Sequence, residues 1–465
     1  MLTQLQIQNF KGWRDTGPIK MAPITLFFGT NSSGKSSIGQ FLMLLKQTVE
    51  SQDRKAVLFP GGKNSAVQLG SYQDLIFARD TTNRIKFKYE WMLPSRLSII
   101  DPLTIRDYSG DRISFDAEIG QDDQKSNIVF VESFNYSVSD RQDEKLSVGM
   151  KVRVEKKAAY DVKSTGYDLK RNPGRVWHPG NTVRFYGFPD EVVAYYQNAD
   201  FVQSLNLVQE KLFRSIAYLG PLRTKAERLY SWSGTEPESV GYVGENTVSA
   251  MLAARTRKIS MGFNKRSFPF EQVIAQKLKD MGLIESFQVK AISRNRQDYE
   301  VKVKTRGSAG LVDLPDVGFG VSQVLPVLVE CFYAPANSII LMEQPEIHLH
   351  PRAQSLLADV MIDAINARED GKDRNIQLII ETHSEHFLRR LQRRIAEDHI
   401  SRDRVSAYFA DISKTPARLE QLKLDVFGNV TNWPENFFGD EMEDITAQSK
   451  AALKKRVKAA SGVDQ

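Results

Sequence analysis

Cysteine is almost missing: Cys331 is the only one in 465 residues. A single thiol makes no intrachain disulfide and supplies no cysteine-based zinc site, so its place in the apolar run VLPVLVECFY predicts a buried small hydrophobe. Long hydrophobic runs are missing too. No stretch approaches the roughly 20 apolar residues that span a bilayer, which excludes a membrane helix from the expectation. The opening MLTQLQIQNFKGW alternates apolar and polar residues where a secretory leader has a basic patch and an apolar core, so the expected location is the cytoplasm. Internal repeats and sustained heptads are absent, which argues against a solenoid or a coiled-coil arm. Charge of one sign is scarcely in excess: 63 Lys and Arg against 57 Asp and Glu give +6, which suits weak attraction to nucleic acid without requiring it. Histidine is sparse and uneven, for five of the six (His348, His350, His383, His386, His399) lie beyond residue 347. With 41% hydrophobic and 26% charged residues, the chain reads as globular, with two or three domains.

Strand and helix signals then divide the chain. A strand around Leu5 and Ile7 is followed by ITLFF at 24–28, apolar throughout and suited to burial on both faces, and by a helix from Lys35 with Ile38, Phe41, Leu42 and Leu45 on one face. From about 80 to 210 the runs RIKFKYEW, RISFDAEI, SNIVFVESFNYSV and VGMKVRVE predict an antiparallel β-rich insertion ending in helix. The segment YLGPLR and a helix near 270–282 come next. Alternating buried strands and helices return with SIILM at 338–342, a helix from Arg352, IQLII at 376–380, a helix from Ser384 and VSAYF at 405–409. The expected fold is therefore α/β, with a core built from 1–80 and 216–440, an insertion at 81–215, and a mobile charged tail at 441–465.

Four motifs carry chemistry. GTNSSGKS at 29–36 fits G-x-x-x-x-G-K-[ST] between a buried strand and a helix, the context of a loop that cradles phosphates. Asn31, Ser32, Ser33, Gly34, Lys35, Ser36 and Ser37 are its expected nucleotide contacts, with Lys35 on the β- and γ-phosphates and Ser36 on Mg²⁺. A glutamine facing that cation would be Gln68 or Gln73. In SIILMEQPEIHLHP an apolar strand ends in Glu343, followed by Gln344 and Glu346; Glu343 is expected to serve Mg²⁺, directly or through water. IQLIIETHSEHFL places His383 just past another strand tip, within reach of a γ-phosphate. In DLPDVGFGVSQVLPVLVE, Pro326 predicts a helix start near Ser322, leaving the amides of Ser322 and Gln323 behind Gly318 and Gly320 as a second anion site.

In this order GTNSSGKS, GFGVSQVLP, LMEQPEIHLHP and ETHSEHF resemble the ABC-type ATPases of the SMC and RecF lineage, and more narrowly the compact prokaryotic ATPases of anti-phage defence operons. The resemblance implies ATP and Mg²⁺ as cofactors and a homodimer or higher homo-oligomer. ATP on Lys35 and Ser36 of one copy would be capped by Gly320, Ser322 and Gln323 of another, with His383 as switch histidine. The family has Asp-Glu at the strand tip where this chain has Glu343-Gln344. Gln344 cannot accept a proton, so either Glu346 substitutes as base or hydrolysis is slow and the site works as a clamp. The 82 residues after His383 leave no room for a TOPRIM nuclease. Cutting is therefore expected from a separate partner, as in the Septu system with its HNH nuclease or the PARIS system with a TOPRIM-like one, with DNA as a further partner. The alternative is a RecF-like, ATP-gated DNA clamp.

Overall fold

Strands that are apolar on both faces must lie between two covering layers, and the central sheet satisfies this requirement. The computed structural model describes the chain apart from residues 123–127, 142, 154–158, 175, 294–296, 306, 413–415, 435–445, 454 and 456–465. Six strands run in the order Ile216–Leu219, Ile339–Glu343, Gln377–Glu381, Ile24–Gly29, Val405–Asp411, Arg418–Leu422. The first five are parallel and the last is antiparallel. Residues 339–343 and 377–381 are buried without exception. Alternate side chains serve different cores: Leu26, Phe28, Ile340, Met342, Leu378 and Ile380 pack against helices Phe319–Tyr333, Pro351–Asn366 and Glu385–Ala396. Phe27, Ile339, Leu341, Ile379 and Tyr408 face the other way, onto helix Lys35–Glu50 and a second sheet. The α/β class expected from the sequence is the one observed, and the tips of three parallel strands meet at one edge.

The second sheet is antiparallel, in the order Trp13–Asp15, Leu2–Phe10, Ile85–Leu97, Gly110–Asp122, Ile128–Asp140, Asp143–Val152, Tyr160–Thr165, with Ile19–Lys20 also on Leu2–Phe10. Period-two alternation explains its single buried face: Ile85, Phe87, Tyr89 and Trp91 point inward while Lys86, Lys88 and Glu90 do not. The β-rich segment is thus no free-standing insertion. Leu2–Phe10 pairs with Ile85–Leu97 from Gln8 opposite Lys86 to Leu2 opposite Trp91, so one sheet crosses the expected boundary at residue 80. Most of the charged tail expected at 441–465 lies outside the described residues. Among the described residues no helix is long and apolar enough to cross a membrane.

Two details of helix Phe319–Tyr333 matter below. The helix begins at Phe319 and carries Pro326 in its interior, which corrects the start expected near Ser322. A proline there removes one bond, to the carbonyl of Ser322, and that residue is partly exposed, so water can take the place of the lost donor. The leading amides are accordingly those of Phe319 and Gly320. Further along, Glu330 is 1% exposed and accepts from the Val240 amide at 2.8 Å, while its other oxygen has no partner. Burial pushes its carboxyl up to about 7, with Arg374 pulling the other way. Cys331 is buried, as expected.

Candidate active site

The glycines of 29–36 are required by close approach. Gly29 has φ +145° and a Cβ there would stand 2.4 Å from the Ala410 carbonyl oxygen of the neighbouring strand. Gly34 has φ +86°, and a Cβ would meet the Trp13 ring at 3.2 Å. Trp13 is a buttress that sequence reading missed: its indole N–H lies 3.1 Å from both the Gly34 carbonyl and Ser37 Oγ. No side chain caps helix Lys35–Glu50, so its positive end is left for an external anion. Lys35 is buried, with Nζ donating to the carbonyls of Gly29 (3.0 Å) and Thr30 (2.6 Å). Burial holds its pKa below the usual value, an effect that Glu381 partly offsets.

A cleft of about 420 Å³ opens over this loop, a volume suited to a small-molecule ligand. It is lined by Asn31, Ser32, Ser33, Gly34, Lys35, Ser36 and Ser37, and by Gln344, Glu381 and His383 from the two strand tips. Lys11, Gly12 and Gln40 line it too, with Lys11 Nζ donating to Gln40 Oε1 at 2.5 Å. Neither Gln68 nor Gln73 does. Gln68 donates to the Lys63 carbonyl instead. No motif announces Lys11, which the tight turn between the first two strands (φ +49°) carries into the cleft.

The strand tips are held by a buried polar set. Gln344 has φ +45°, a left-handed conformation fixed from two sides: its amide donates to the Glu381 carbonyl at 2.8 Å, and Arg223 Nη2 donates to the Gln344 carbonyl at 3.2 Å. Arg223, from YLGPLR, is 8% exposed, and among the described residues its Nε and Nη1 have no hydrogen-bond partner. Glu343 does not line the cleft. Its Oε1 accepts from the Tyr218 hydroxyl at 2.9 Å, and burial followed by Glu381 pushes its carboxyl up to about 7. Glu346 does not line it either, for its Oε1 accepts from the His383 amide at 2.9 Å. That carboxylate is placed to hold the backbone of His383. Burial and then Lys35 lower the pKa of His383, favouring its neutral form. Ser36 Oγ donates to Glu381 Oε1 at 2.9 Å.

Gly320, Ser322 and Gln323 are elsewhere. Gly320 abuts the turn that leaves the Glu343 strand, its missing Cβ 3.1 Å from the His348 carbonyl oxygen. Ser322 lines a separate small cleft with Thr224, Lys225 and Tyr230. Gln323 is buried with Nε2 unpartnered. Within one copy they do not meet the loop cleft.

Family models match segments of the chain. Residues 1–173 match the family model "AAA ATPase domain", and 220–389 match "AAA domain, putative AbiEii toxin, Type IV TA system". Two segments of the chain thus each match an AAA ATPase family model. Residues 400–448 match a family of unknown function, DUF3696. Solved structures similar to this ATPase include the SMC head domain from Thermotoga maritima, at 9% identity over 91% of this chain and 99% of that one, TM-score 0.40. Another is the SmcHead bound to the C-winged helix domain of ScpA, at 10% identity over 91% and 98%, TM-score 0.42. No curated protein matches the chain.

The site residues fit a nucleoside triphosphate with Mg²⁺. They offer an uncapped helix start, a buried ammonium and a hydroxyl beside a carboxylate. Mg²⁺ at such sites typically needs only one or two protein carboxylates, because substrate phosphates and water complete its shell.

Proposed function

We propose that this ATPase binds ATP with Mg²⁺, hydrolyses it slowly and closes against a second copy of itself, and that the closed state regulates a separate nuclease in defence against invading DNA. The observation that carries this reading is the cleft itself: Lys35, Ser36, His383 and Gln344 line one cavity, with a carboxamide at the tip of the Glu343 strand. Lys35 and the loop amides hold the triphosphate, Ser36 and, directly or through water, Glu343 hold the cation, and neutral His383 hydrogen-bonds the terminal phosphate. Mg²⁺ neutralises charge that develops on the transferred phosphoryl group. Gln344 orients water without taking its proton, so turnover at or below roughly one per second is expected, against an enzyme median of about 10 per second. Because Gly320, Ser322 and Gln323 sit apart from the loop cleft, a second copy is the source of the cap. The match over 220–389 to a domain described as an AbiEii toxin supports the defence setting. The test is phosphate release and ATP-dependent association of the purified chain, together with phage plating on cells carrying it with and without any nuclease gene encoded beside it. Protection that needs both genes and Lys35 supports the reading; protection unaffected by Lys35→Ala refutes it.

A further inference from the structure

One carboxylate in the cleft has no task of its own in that reading. Glu381 ends the strand lying directly between the loop strand and the strand of Glu343, in register with Phe27 on one side and Glu343 on the other. Neighbouring strands are about 4.8 Å apart, so the backbone of Glu343 starts one full strand further from the loop. The side chains keep that order. Ser36 Oγ donates to Glu381 Oε1 at 2.9 Å, and Glu381 lines the cleft. Glu343 lies behind, its Oε1 engaged by Tyr218.

We infer that Glu381 is the acid that ligates the divalent cation of the nucleotide complex together with Ser36, with Glu343 acting on it from outside through water. This rests on the nucleotide reading above. Two neighbouring oxygens in the octahedral shell of Mg²⁺, each 2.0–2.1 Å from the ion, are about 2.9 Å apart. That is the spacing Ser36 Oγ and Glu381 Oε1 already have. The hydrogen bond between them therefore holds Ser36 and Glu381 at a spacing that would suit two ligands of one ion, which would take the place of the shared proton. The same pairing explains why a glutamate ends a strand that is buried at all five positions: its charge is directed at the loop, where Lys35 compensates it and a bound cation would add to that.

The experiment uses the full chain with a fluorescent ATP analogue to measure nucleotide affinity with and without Mg²⁺, and electron paramagnetic resonance of Mn²⁺ to measure cation affinity in the presence of ATP. Glu381→Gln should weaken Mn²⁺ by roughly tenfold or more, as loss of a ligand does, and leave metal-free nucleotide affinity unchanged or tighter. Glu343→Gln should weaken it less, and Glu381→Asp should fall between wild type and Glu381→Gln. Mn²⁺ affinity retained in Glu381→Gln, or a larger loss in Glu343→Gln, overturns the assignment. Normal Mn²⁺ affinity with lost turnover would make Glu381 a proton acceptor, and also overturns it. If Lys35→Ala binds the analogue as wild type does, the nucleotide reading is what fails.

Discussion

Gln344→Glu puts a proton acceptor where the chain has a carboxamide, on a backbone that keeps it in the cleft. The left-handed turn there is fixed by the Glu381 carbonyl and by Arg223, neither of which depends on the Gln344 side chain. Positioned base help is worth 10² to 10⁴ in rate, or about 3 to 5 kcal/mol. The surroundings withhold part of this. The new carboxyl joins Glu381 and Glu343, and Glu343, buried beside Glu381, is already pushed up to about 7. Two acids so close hold a new carboxyl above its usual pKa, so the gain should be largest at the alkaline end of the range and shrink as pH falls. Steady-state phosphate release at saturating ATP and Mg²⁺, for wild type and variant from pH 6 to 8.5, measures it. A ratio of the two rates that is flat across pH, or a variant slower than wild type throughout, would refute the idea that the carboxamide limits turnover.

Lys35→Ala should abolish ATP binding by calorimetry and leave the circular dichroism spectrum unchanged, because the lysine spans loop carbonyls and fills no apolar core. Ser322→Arg should leave nucleotide binding to one copy intact while blocking turnover and ATP-dependent association measured by light scattering; normal hydrolysis in that variant would end the two-copy model. Glu330 is raised from 4.5 to about 7 by burial, so its contribution to stability is full below about pH 4.5 and is lost as pH rises through 7, a swing of roughly 3 kcal/mol. Glu330→Gln removes that slope, and chemical unfolding should find the variant improving relative to wild type between pH 5 and pH 8.

The loop, the three strand tips and the central strands were legible because their signals are local: apolar runs ending in chemistry-bearing residues, and glycines at fixed spacing. Trp13, Lys11 and Arg223 were not, since each reaches the site through tertiary packing over tens to hundreds of residues. Glu381 was visible only as a strand end. Its significance depends on which strand lies beside the loop, and strand order is not written in spacing. Glu346 illustrates the reverse. Its proximity in sequence to Gln344 suggested a substitute base, but the turn that follows the strand swings its carboxylate onto the amide of His383. Pro326 misled because a helix tolerates the loss of one bond where the residue whose carbonyl loses it is partly exposed.

The hydroxyl of Ser36 and the carboxylate of Glu381 are 345 residues apart in the chain. At a synthesis rate of about 5 to 20 residues per second, the loop waits on the order of 20 to 70 s after emerging from the ribosome before its partner strand exists. Through that interval helix Lys35–Glu50 lacks the parallel strands of 339–343, 377–381 and 405–411 that cover it, and ATP has no finished pocket to enter. A fragment ending before residue 377 lacks Glu381 and His383 from the cleft lining, and under the nucleotide reading it should hold ATP with Mg²⁺ more weakly than the full chain does.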